Sequence, residues 1–209
     1  MKRTALIALF AAMGAALAQA QGLYLDNGFG LEAGAFTSDR SPLYGAAAGY
    51  AFAGRFEAGV GYSVYLDRSD PSTDVKSVSP YLGYYAMRQR SGAPITLRIG
   101  ALVQIHRFSG SNFLAREANS ETLGVQATVA RRMSGGIPMM PTLNAGVYTT
   151  EVRWHGIDER EQSFEASLDL PFVGSMSGRA LWAFGPSLAI DDEGTLAVGV
   201  QLGLYLNRR

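Results

Sequence analysis

Thr195-Leu196-Ala197-Val198-Gly199-Val200-Gln201-Leu202-Gly203-Leu204-Tyr205-Leu206 carries a large aliphatic residue at every even position. The odd positions read Thr, Ala, Gly, Gln, Gly and Tyr. A period of two puts these sets on opposite faces of an extended strand. A soluble sheet with one wet face would place Lys, Glu or Thr opposite the apolar rail. Here the second face is small and uncharged, which suits a strand with its bulky face in hydrocarbon and its small face lining a crowded lumen. The segment predicts the closing strand of a transmembrane β-barrel.

The same dyad repeat runs back through the chain. Residues 28–36 set Phe29, Leu31, Ala33 and Ala35 on one side. Residues 44–52 and 56–66 alternate about the three-residue connection Ala53-Gly54-Arg55, a hairpin pattern. Further strands are expected over 78–86, 95–105, 123–129, 143–149, 164–172 and 182–190, ahead of 195–206. Loops are expected at 38–42, 67–76, 88–94, 109–120, 131–141, 155–162, 174–178 and 191–194, where turn residues, prolines or charges cluster. The prediction is an all-β chain: a single antiparallel up-and-down barrel of ten strands, or eight if the hairpin around 143–172 packs elsewhere. About ten residues per strand cross an apolar band ~25 Å tall when tilted.

Met1-Lys2-Arg3, the apolar run from Ala5 to Ala18 and the small-x-small site Ala18-Gln19-Ala20 read as a secretory signal peptide over residues 1–20. The run is shorter than the ~20 apolar residues of a spanning helix. The expected mature domain is 21–209, with no second domain. It has no cysteine, so its hydrogen bonds and packing must hold it without disulfides. Without Lys2 and Arg3, 16 basic and 18 acidic residues remain, a net charge of −2 that gives no footing for nucleic acid. Lys76 is then the only lysine.

Charge sorts with the alternation. One set of connections, together with the chain end, carries Arg55, Arg88, Arg90, Arg131, Arg132, Arg179, Arg208 and Arg209 and no acid. The other carries Asp39, Asp67, Asp70, Asp74, Glu117, Glu121, Asp158, Glu159, Glu161, Asp191, Asp192 and Glu193. The arginine end is expected to be periplasmic, where guanidinium groups meet lipid phosphates, and the acidic end external. Asp26 is the exception.

Gly45-Ala46-Ala47-Ala48-Gly49-Tyr50, Glu57-Ala58-Gly59-Val60-Gly61-Tyr62 and the amphipathic terminal strand resemble the OmpA-type family of small outer-membrane barrels. The resemblance covers nearly the whole mature chain and implies residence in the bacterial outer membrane. The implied partners are outer-membrane lipid and the outer-membrane assembly machinery. The chain departs from the pattern in its end, Tyr205-Leu206-Asn207-Arg208-Arg209, where an aromatic is usual, and in ten strands rather than eight.

Inward parity selects Glu57, Arg98, Gln104, Gln126, Asn144, Glu165 and Asp169 as a lumen polar network, and Tyr65, Tyr81, Tyr85, Tyr148 and Tyr205 as lumen-filling aromatics. These groups read as a selectivity ring in a pore or, in a barrel this narrow, as a plug. Trp182, Phe184, Tyr44, Phe52, Phe56, Tyr62 and Phe172 suggest aromatic belts at the membrane interfaces. The histidines His106 and His155 offer two catalytic readings: a surface protease with Asp158, Asp191 or Asp192 near His155, and a lipid deacylase pairing His106 with Ser109. Arg153 stands where the protease pattern has an aspartate, and an extended strand does not bring positions 106 and 109 together. Calcium at the acidic loops lacks an EF-hand spacing. The expectation is therefore no catalytic site, no cofactor and no metal: a structural envelope barrel or narrow passive pore. A barrel-based surface hydrolase and a surface-binding or adhesion protein are the alternatives. A secreted soluble barrel with its bulky residues inward is the structural rival.

Overall fold

The computed structural model describes residues 21–38, 42–66, 74–109, 119–133, 138–154 and 157–208; the expected signal peptide lies outside them. A helical turn, α1 (Gln21–Tyr24), precedes β1 (Gly28–Ser38), β2 (Pro42–Phe52), β3 (Phe56–Leu66), β4 (Asp74–Met87), β5 (Thr96–Ser109) and β6 (Asn119–Ala130). There follow β7 (Thr142–Trp154), β8 (Ile157–Asp169), β9 (Phe172–Ser177), β10 (Ala180–Asp191) and β11 (Leu196–Asn207). Pairing is antiparallel around the whole circuit. The last strand closes on the first, from Gly28 opposite Asn207 to Ser38 opposite Ala197. Closure of β11 on β1 removes the two free edges an open sheet would have, as a hydrocarbon environment requires.

Eleven strand segments make ten staves, because β8 and β9 are one stave broken at Leu170-Pro171. The upper part of β10 pairs with β8 and its lower part with β9. Pro171 cannot donate to the ladder; its carbonyl instead accepts the Met140 N–H at 3.0 Å. The hairpin that an eight-stranded count would displace is zipped throughout, from Thr142 opposite Asp169 to Trp154 opposite Ile157. At the other end of the barrel, Ala53 (φ 52°) and Gly54 (φ 63°) make the tight β2–β3 turn. The Arg55 N–H donates to the Phe52 carbonyl at 3.2 Å, and positive φ at both central positions of this turn gives the primed-turn twist that suits a hairpin.

Most of the expected loops are shorter than the sequence suggests, three of them by three or more residues at one strand end. Residues 74–76, 157–162 and 174–177 belong to β4, β8 and β9. Polar side chains there mark the medium around the strand ends, while the backbone ladder continues beneath them. Within the loop expected at 88–94, Gln89–Ser91 form a 3-10 turn capped by Gly92 in the left-handed region.

The side-chain distribution is inverted relative to a soluble protein. Leu82 and Leu123 are 64% and 61% exposed, whereas Glu57 and Arg98 are 1% exposed. Leu196, Val198, Val200, Leu202, Leu204 and Leu206 all face out from β11, while Ala197 and Tyr205 are buried. Charged groups are almost never fully buried in ordinary cores. Here they occupy the middle and the aliphatics form the outer wall, which is the distribution of a transmembrane barrel.

Candidate functional site: a filled lumen

Each stave contributes alternate side chains to the interior, and these fill it at three levels. Towards the acidic end, Phe36, Leu43, Tyr65, Val75, Ala189 and Ala197 form an apolar cluster with Phe108 packed against it. At mid-height Tyr81, Leu102 and Tyr148 pack together. At the arginine end Leu23, Tyr24 and Leu25 reach into the barrel and meet Ala51, Tyr85, Ala130, Met140, Val173, Ala183 and Tyr205.

The polar residues fill the space between these clusters. Arg98 Nε donates to Glu57 Oε1 at 2.5 Å, Tyr85 Oη donates to Glu57 Oε2 at 2.6 Å, and Arg98 Nη1 reaches Gln126 Oε1 at 3.4 Å. A buried ion pair of this kind holds only when further hydrogen bonds satisfy it, and the tyrosine and glutamine supply them. The strands leave room with glycine. A Cβ at Gly83 would lie 2.6 Å from Arg98 Nε and 2.7 Å from Glu57 Cγ. A second network centres on Asp169: Asn144 Nδ2 donates to Asp169 Oδ2 at 2.9 Å and to Ser167 Oγ at 3.0 Å. Gln201 Nε2 donates to Asp169 Oδ1 at 3.0 Å, and the Ser187 hydroxyl donates to the same oxygen. Gln104 and Glu165 are buried as well. The seven polar positions and five tyrosines named from parity therefore all lie inside the barrel; Glu57, Arg98, Gln126 and Tyr85 join in one network and Asn144 and Asp169 in another, rather than all in one ring.

The base is held by Arg88, which alternation of strands alone does not single out. Its guanidinium donates to the carbonyls of Gly54 (2.5 Å) and Leu25 (3.0 Å). It also pairs with Asp26 at 3.0 Å, so the one acid at the arginine end is neutralised there. Asn27 Oδ1 accepts the Ala53 N–H at 2.8 Å, tying the same lead segment to the β2–β3 turn. The Tyr24 ring stacks on Tyr205 with centroids 4.1 Å apart, and Tyr205 Oη donates to Glu32 Oε1 at 2.9 Å. The cavity between Tyr24, Glu32, Gln201 and Tyr205 amounts to about 20 Å³, close to the space of a single water. Glu32 was readable from the sequence, since it alternates with the outward Leu31 and Ala33. The plugging role of residues 23–25 was not, because a short lead carries no periodicity.

His106 faces the interior at 0% exposure, in phase with Gln104, as the alternation along β5 places it. Its partner is Ser77, whose Oγ lies 2.7 Å from Nδ1, rather than Ser109. Nε2 lies 3.1 Å from Thr122 Oγ1, which in turn contacts Thr150 Oγ1 at 2.8 Å. A hydroxyl and an imidazole in hydrogen-bond contact make half of a nucleophile–base arrangement. The other ring nitrogen meets a threonine in place of an orienting carboxylate, and both Ser77 and His106 are sealed from solvent. His155 lies outside the described residues. Among the described residues, no group of three or more His, Cys, Asp or Glu side chains is arranged to hold a metal ion.

No family model matches the chain, and no curated protein matches its sequence. Among solved structures, the translocator domain of the autotransporter NalP from Neisseria meningitidis is similar over 86% of this chain and 86% of its own, at 10% identity and a TM-score of 0.47. The β domain of the Bordetella autotransporter BrkA is similar over 87% of this chain and 99% of its own, at 13% identity and a TM-score of 0.47. Neisserial surface protein A is similar over 86% of this chain and 94% of its own, at 11% identity and a TM-score of 0.33.

Proposed function

We propose that this chain is an integral barrel of the bacterial outer membrane with a closed lumen, serving the envelope structurally rather than as a catalyst or an open channel. The observation that carries the reading is the inverted wall: apolar side chains outward on every stave, and polar groups including the Glu57–Arg98 ion pair inward. Tyrosines and apolar clusters packed at three levels of the interior support the closed-lumen reading. The arginine-rich end faces the periplasm in this reading, and the chain arrives there with its signal peptide removed and is inserted by the assembly machinery. OmpA-type kinship is supported by the Gly-Ala-Tyr strands; the ten staves depart from it.

Membrane fractionation tests location: the chain is expected in the outer-membrane fraction, soluble only with detergent, and with gel mobility that changes on heating. A monomer stable in plain buffer would sink the proposal. Planar-bilayer recording at high salt is expected to give a flat trace; discrete conductance steps from the unaltered chain would establish the narrow pore instead.

A further inference from the structure

We propose that the outer wall of β1–β5 holds one phosphate-bearing lipid, with its phosphate on Lys76 and Arg107 and an acyl chain in the groove beside them. This rests on the membrane reading above. Lys76 and Arg107 stand directly opposite each other in the β4–β5 register, and both side chains point outward. Residues so paired have Cβ atoms about 5 Å apart, and like charges there are destabilising unless an anion lies between them. The Lys76 ammonium contacts Asp74 Oδ2 at 2.8 Å, which offsets one of the two positive charges. Among the described residues Arg107 has no hydrogen-bond or ion-pair partner. One outward step below them stand Val78 and Ile105, paired and exposed. Two strand residues span roughly 7 Å, so the cations lie just above apolar wall, at the height where a lipid phosphate meets its chains.

The second observation is the shape of that wall. Outward alanines at 33, 46 and 48 make a floor between Leu202 on one side and Val60 and Tyr62 on the other, giving an apolar groove of about 510 Å³. The register carries the floor to the cations: Leu202, Ala33, Ala46, Tyr62, Val78 and Ile105 form one continuous row. The next row above runs Val200, Ala35, Tyr44, Val64, Lys76 and Arg107. Groove and charge pair are thus adjacent, and an anionic head joined to an acyl chain satisfies both.

The test uses the full barrel already folded in neutral detergent, with phosphatidylglycerol, phosphatidylcholine and inorganic phosphate as separate probes. Binding is read by native mass spectrometry and by the thermal midpoint. Phosphatidylglycerol is expected to be retained over phosphatidylcholine, and K76Q/R107Q to weaken its binding roughly 30-fold, from the attraction of two basic side chains to anionic lipid. Arg107→Lys is expected to keep most of the binding, and Ala46→Phe, which fills the groove, to lose the lipid without altering the response to inorganic phosphate. Heat-dependent gel mobility confirms that each variant is folded. Equal retention of the two lipids, or no change in K76Q/R107Q, overturns the proposal. Inorganic phosphate matching phosphatidylglycerol overturns the lipid in favour of a free anion. A chain that needs no detergent would instead overturn the membrane reading, so the two failures are distinct.

Discussion

Glu57 and Arg98 show what a single interior pair contributes. Each is 1% exposed, and each is satisfied by a neighbour of the other chemistry: Tyr85 for the carboxylate, Gln126 for the guanidinium. Removing one partner strands a buried charge, and such losses cost about 3–5 kcal/mol. Arg98→Met is expected to lower the folding free energy by that amount in urea titrations in lipid vesicles. Adding Glu57→Met and Tyr85→Phe is expected to restore most of it, since no buried charge is then left alone and only the long Gln126 contact goes unmet. If the triple variant were as unstable as the single, the pair would be contributing more than mutual satisfaction. Gly83 belongs to the same site: its missing Cβ is where the ion pair lies. Gly83→Ala is expected to cost about 1–3 kcal/mol, the range for overpacking, and to leave the far network at Asp169 unchanged by side-chain NMR.

At the level of elements, the unusual piece is α1 with the three residues after it. Four residues make no helix stable by itself, so its order comes from the barrel: the Tyr24 stack on Tyr205, burial of Leu25, and the Arg88 guanidinium spanning Gly54, Leu25 and Asp26. Arg88→Ala is expected to cost about 2 kcal/mol, in the range for hydrogen bonds to a charged group, and to speed amide exchange at Leu23–Leu25 before that of the strands. Deleting residues 21–25 is expected to lower the temperature of the heat-induced gel shift while the bilayer trace stays flat, because the clusters around Tyr81 and Phe36 still fill the upper lumen. Conductance steps from the deletion alone would show that this segment is the barrel's sole barrier. The β8–β9 break is the other local feature, a proline accommodated by letting β10 change partners partway along.

For the molecule as a whole, depth in the bilayer should govern the cost of an outward charge. Leu202 lies near the middle of β11 and Leu196 at its end, both about half exposed. An arginine at mid-membrane on a barrel costs about 2–4 kcal/mol, falling to about 0–1 near the interface. Leu202→Arg is expected to show the larger loss and Leu196→Arg the smaller, by urea titration in vesicles. Equal costs at the two positions would place no hydrocarbon around the wall. Charge asymmetry belongs to this scale too: arginines gather at one rim and acids at the other, and the single misplaced acid, Asp26, is the one that Arg88 neutralises.

The dyad repeat by itself determined the strand type and which residues face in: Glu57, Arg98, Asn144, Asp169 and the five tyrosines all follow from parity, while the choice of ten staves over eight waited on the β7–β8 ladder. The reason is that a strand has only two faces, so alternation and the choice of solvent fix orientation without knowledge of any partner. Partnership was decided only by the closed sheet. Parity puts His106 inside but cannot say that Ser77, 29 residues away, is its neighbour; register across β4 and β5 does that. It cannot say that Asp169 draws Asn144, Ser187 and Gln201 from three other staves, nor that residues 23–25 fold back to stop the base. Those contacts join positions remote in sequence across a lumen, and a lumen exists only once β11 has met β1.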